Sequence, residues 1–130
     1  MKPTTMILGA IAAVTAFAGS PAAAYDLKIT GRTLAGPQLT TDLLRQIQTY
    51  SKATGGCSFL FSVHMQVMPR NYAPARPTMP ATARGGHFEE WTVNACAAKQ
   101  RFQIAMWPSP RGGNDFAITP LTGRMPLHTR

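Results

Sequence analysis

The chain has 130 residues and a formal net charge of +8, with 13 Lys and Arg against five Asp and Glu. That length suits one small domain. So few scattered acids argue against acid–base catalysis by a carboxylate pair, which needs two acids converging on one bond. Its only two cysteines, Cys57 and Cys96, allow at most one internal disulfide.

The first residues read as an export signal. Lys2 is the only charge before Asp26, and Met6 to Ala18 is an uninterrupted, weakly apolar run. Gly19, Ser20 and Pro21 break the helix, and Ala22, Ala23 and Ala24 supply the small residues a signal peptidase requires. A membrane anchor would need roughly 20 apolar residues, and this run is shorter and rich in Ala. Cleavage after Ala24 leaves a mature chain that starts at Tyr25, with 12 Lys and Arg and all five acids. In an oxidising compartment the cysteine pair reads as a disulfide. Closing that loop would stabilise the fold by about 4 kcal/mol on chain-entropy grounds. A zinc site would need further ligands, and His64, His87 and His128 have no ligand-like spacing with the cysteines.

Tyr25 to Ile29 alternates apolar and polar residues and predicts a short opening strand. Gly31 to Gly36 is turn-rich. From Pro37, a favoured first-turn residue, Leu39, Leu43, Leu44, Ile47 and Tyr50 fall on one helical face. Gly55 and Gly56 end that helix.

Beyond the glycines the apolar period becomes two. Phe59, Phe61, Val63, Met65 and Val67 alternate with Leu60, Ser62, His64 and Gln66 over 57–68. Trp91, Val93 and Ala95 alternate with Glu90, Thr92 and Asn94 over 88–96, Phe102, Ile104 and Met106 with Arg101, Gln103, Ala105 and Trp107 over 100–107, and Phe116 and Ile118 with Ala117 and Thr119 over 115–120. Such strands belong to an antiparallel sheet covered on one side, and the helix is its natural cover. A tight turn over Cys96–Lys99 is expected to set Val93 opposite Phe102 and Trp91 opposite Ile104. The Pro108–Asn114 connection is expected to set Met106 opposite Phe116 and Ile104 opposite Ile118.

Residues 69–86 break the pattern, with Pro69, Pro74, Pro77 and Pro80 interspersed with Arg70, Arg76 and Arg84. Proline excludes a central strand. The segment is therefore either a mobile linker or a cationic, partly polyproline arm that engages a partner. Residues 121–130 have no packing signal and predict a flexible tail.

Candidate chemistry is sparse. Glu89 and Glu90 are strand neighbours and point to opposite faces. One register would bring His64, Glu90 and Ser62 together as a nucleophile–base–acid arrangement, although a solvated ion pair explains the same residues. Gly85-Gly86 and Gly112-Gly113 open no helix, as a phosphate cradle would, and no cofactor-binding pattern is present. The polar sheet face, with Arg101, Gln103, Trp107, Thr92, His64 and Gln66, could form a binding platform. The candidate partner-binding residues are thus Arg70, Arg76, Arg84, Arg101, Gln103 and Trp107. Positive charge outside the cytoplasm points to an envelope protein or an anionic envelope component rather than nucleic acid.

Trp91-Thr92-Val93-Asn94-Ala95-Cys96, followed by Gly112-Gly113, Phe116 and Ile118, resembles a pattern in small uncharacterised exported proteobacterial proteins. Ala97 stands where those proteins usually have Gly. The resemblance implies an envelope protein with a disulfide-pinned β-meander, and no particular activity.

The sequence therefore predicts an α+β domain over 25–120, one helix packed on about three to four antiparallel strands. A non-catalytic binding or accessory protein, periplasmic or secreted, is the leading expectation. An inhibitor of a hydrolase or toxin acting through 69–86 comes second, and a small envelope enzyme third.

Overall fold

The computed structural model describes residues 27–78, 81–82 and 85–127. The expected leader, the Tyr25 start, Arg84 and the last three residues lie outside them. The elements run β1 (Lys28–Gly31), α1 (Pro37–Ala53), β2 (Leu60–Val67), β3 (His87–Ala95), β4 (Ala98–Pro108), β5 (Asn114–Pro120) and β6 (Met125–Pro126). Among the described residues these elements form one helix and a six-stranded sheet of order β1-β2-β3-β4-β5, with β6 also beside β4.

The α+β class and the disulfide agree with the sequence reading, but the sheet has more strands than expected. β1 lies parallel to β2, with Ile29 opposite Val63 and Gly31 opposite Met65. The reason is the connection: two strands joined through a helix can lie parallel, whereas a tight hairpin joins antiparallel ones. Gly31 ends β1 at positive φ (83°), and a Cβ there would run into the Met65 carbonyl.

α1 starts at Pro37 and carries the expected apolar stripe. Leu43 and Ile47 are buried, and Leu39, Leu44 and Tyr50 pack around them. Each fully buried Leu or Ile contributes about 1.5–3 kcal/mol. On the sheet they meet Val63, Met65, Trp91, Val93, Phe102, Ile104 and Met106. Tyr50 meets Phe102 edge-on, with ring centroids 5.7 Å apart. At its C-terminus the helix is closed by Arg124, which donates to the Thr54 carbonyl at 3.0 Å.

Two registers differ from expectation. At the start of β2 the pairing with β3 slips between Leu60 and Ser62. A bulge inserts one residue and reverses which side chains face inward. Leu60 is therefore buried, while Phe59 and Phe61 are 52 % and 54 % exposed. In the β3–β4 hairpin the turn is only Cys96-Ala97, at φ 55° and 60°. This shorter turn sets Trp91 opposite Phe102 and Val93 opposite Gln100. The shift is by two, so the faces are kept. The β4–β5 pairs Met106–Phe116 and Ile104–Ile118 are as expected.

The disulfide joins Cys57 to Cys96, with Cα atoms 6.0 Å apart, and ties the chain entering β2 to the β3–β4 turn. The stretch through Leu127 is not a loose tail. Leu121 N–H donates to the Arg101 carbonyl at 2.8 Å, and β6 pairs Met125 with Lys99.

The sheet is also not open on its second face. Residues that follow β2 fold back over β3 and β4. Phe88, Ala81 and Ala105 are buried there, with Met68, Tyr72, Trp107 and Ala117 around them. β4 is consequently buried on both faces from Phe102 to Met106.

Candidate functional site

From Pro69 to Thr78 the Pro-rich segment is built into the structure. Tyr72 N–H donates to the Pro69 carbonyl at 3.0 Å, closing a turn. The Tyr72 ring packs on Phe88 with centroids 5.7 Å apart. Its hydroxyl donates to Glu90 Oε2 at 2.9 Å, and the other Glu90 oxygen accepts from Arg101 Nη2 at 2.7 Å. Burial, then the hydrogen bond to Glu90, pushes the Tyr72 phenol up to about 12. The hydroxyl is thus a proton donor throughout the physiological range.

Gln103 makes the second attachment. It is 1 % exposed, so it is not part of an open platform. Its Oε1 accepts from Ala75 N–H at 2.8 Å and from Arg76 N–H at 3.4 Å, and its Nε2 donates to the Arg76 carbonyl at 2.9 Å. One side-chain amide thereby satisfies the backbone of two consecutive arm residues, which proline-rich chain cannot do for itself.

The sequence-predicted residues consequently divide. Arg70 and Arg76 are exposed on the arm, and among the described residues neither guanidinium has a hydrogen-bond or acidic partner. Arg101 is committed to Glu90. Trp107 is half-buried against the second cluster and Gln103 beneath the arm. His64, Ser62 and Glu90 are not brought together. His64 stands opposite Thr92 and meets Thr30 Oγ1 at 2.8 Å, whereas Glu90 stands opposite Gln66.

One group escaped sequence reasoning. Glu89 is 0 % exposed on the helix-facing side of β3. Its carboxylate accepts from Thr33 Oγ1 at 2.7 Å, Leu34 N–H at 2.8 Å and Trp91 Nε1 at 2.8 Å, and meets His87 Nε2 at 2.8 Å. Burial acts to raise its pKa, but the bonds from His87, Leu34, Trp91 and Thr33 outweigh it and hold the carboxyl below its ordinary value. This charge fastens the β1–α1 connection to the sheet. The signal was present: the Trp91–Val93–Ala95 alternation, continued backward, places Glu89 and His87 on the core face.

Among the described residues no group of three His, Cys, Asp or Glu gathers as a metal site would require. Nor is any described helix long and apolar enough to cross a membrane. Comparison with protein-family models, with curated proteins and with solved structures found no match.

Proposed function

We propose that the mature chain is a non-catalytic binding module of the cell envelope, and that its recognition element is the clamped arm from Pro69 to Thr78. The observation that carries this reading is the Gln103 clamp on Ala75 and Arg76. A loop held in one conformation loses little entropy on binding. The same clamp leaves Arg70 and Arg76 outside, available to carboxylates of an acidic partner. Export suits the disulfide, the basic charge and the reading of residues 1–24 as a leader.

The arm's rigidity also suits insertion into the cleft of a hydrolase, the inhibitor reading. Stoichiometric loss of a captured enzyme's activity separates inhibition from simple binding.

The test is affinity capture from an envelope extract by the oxidised mature protein and by an Arg70→Gln/Arg76→Gln variant. The variant should retain its melting temperature and lose capture about tenfold. Wild-type capture should weaken with added salt, because exposed charges are screened beyond roughly 8 Å at physiological ionic strength. Capture that is unchanged in the variant overturns the reading.

A further inference from the structure

β1 is an outermost strand of the sheet, and large apolar side chains stay in solvent where it meets β2. Ile29 is 51 % exposed on β1, and Phe59 and Phe61 are exposed at the entry to β2. Lys28 stands opposite Ser62 in the parallel pair, one position from Phe61, and Ile29 stands opposite Val63. Single exposed apolar residues are ordinary, but a group of them at one margin marks a contact surface.

α1 brings cations to the same margin. Gln48 Nε2 donates to the Ser58 carbonyl at 3.0 Å, which fixes the helix beside the chain entering β2. Arg45, Gln48, Thr49 and Lys52 recur at three- and four-residue spacing and share one helical face. With Ala53 and Ser58 they line a depression that is open to solvent. The Arg45 side chain is 69 % exposed, with Asp42 at 3.6 Å. Among the described residues Lys28 and Lys52 have no acidic partner. From 28 to 62 the sequence carries Lys28, Arg32, Arg45 and Lys52 against Asp42 alone.

We propose that this margin docks on an anionic lipid bilayer, with Phe61 and Ile29 dipping into the interface and Lys28, Arg45 and Lys52 meeting lipid phosphates. Exposed apolar tips flanked by long cationic stems suit a planar surface that is apolar within and negative at its skin. Each Lys or Arg held near such a surface adds to the attraction, which salt screens. The depression along α1 admits headgroups but lacks the enclosing walls that a small-molecule site has. α1 covers one face of the sheet, and the arm lies over the other. Docking through the α1 side therefore leaves Arg70 and Arg76 turned away from the lipid. This inference concerns a different surface from the arm and stands whether or not the arm captures a protein.

The test is cosedimentation of the oxidised mature protein with vesicles of phosphatidylcholine and phosphatidylglycerol in equal parts, and with vesicles of phosphatidylcholine alone. Binding to the mixed vesicles should saturate, fall with added salt, and exceed binding to the neutral ones about tenfold. Arg45→Gln/Lys52→Gln should lose that preference. Phe61→Ser should weaken binding to the mixed vesicles about tenfold. Both variants change exposed positions and should keep the wild-type melting temperature. Arg70→Gln/Arg76→Gln, on the arm, should bind vesicles as the wild type does, so that failure of either reading is seen apart from the other. Equal binding to the two kinds of vesicle, no binding to either, or binding that both margin variants retain would overturn the assignment. Capture of a protein through Phe61 without any vesicle binding would overturn it as well.

Discussion

The side-chain oxygen of Gln103, buried in the middle of β4, accepts the backbone N–H of Ala75 at 2.8 Å, across 28 positions of sequence. That bond and its two companions to Arg76 make the proline-rich arm part of the folded domain. The arm's shape is therefore a property of the sheet beneath it.

Gln103→Leu keeps the volume and removes all three bonds. It leaves arm backbone groups without partners, and each such loss costs about 1–3 kcal/mol. We expect a lower denaturant midpoint and faster hydrogen exchange at Ala75 and Arg76. An unprotected Ala75 amide in the wild-type protein would show that the clamp does not hold in solution.

Glu89 gives the fold an acid dependence whose sign follows from its shift. Its carboxyl titrates below the ordinary value of about 4.5 in the folded protein, so the unfolded chain takes up that proton first. The contribution is fully present above that ordinary value and is lost as pH falls through the lower folded one. Glu89→Gln should therefore be less stable at neutral pH and show a shallower loss of stability as pH falls below the ordinary carboxyl value. Parallel stability–pH curves for the two proteins would refute this assignment.

The β3–β4 turn holds two non-glycine residues at positive φ, Cys96 at 55° and Ala97 at 60°. An L-residue there costs roughly 1–2 kcal/mol, and two-residue hairpins of this kind favour glycine at the second position. Ala97→Gly should raise stability by about 1 kcal/mol, read as a higher melting temperature. Cys96→Ser should do the reverse, by up to about 4 kcal/mol. Native protein should show no reactive thiol. A destabilised Ala97→Gly variant would mean that the turn is not strained.

Much of the helix-facing core was legible from spacing. The period of the leucines placed α1 and its buried stripe, and the glycine-rich β4–β5 connection gave the Met106–Phe116 pairing. The Cys96-Ala97 turn was less legible, because its φ values are ones a glycine would have advertised. Phe59 and Phe61 followed the alternation as well as Val63 does, and only the bulge at Leu60–Ser62 turns them outward. The second face was hidden for a different reason. Met68, Tyr72 and Ala81 have no period, so nothing local says that they cover Phe88 and Ala105. Gln103 looked like a solvated strand residue until the arm lay over it.

The most direct test of arm recognition is site-specific photo-crosslinking in the envelope. One photoreactive residue would replace Ala73, exposed on the arm, and another would replace Gln46, exposed on α1. The account predicts a discrete crosslinked partner from position 73, reduced by high salt and by Arg70→Gln/Arg76→Gln, with none from position 46. A partner captured from position 46 and not from 73 would contradict it.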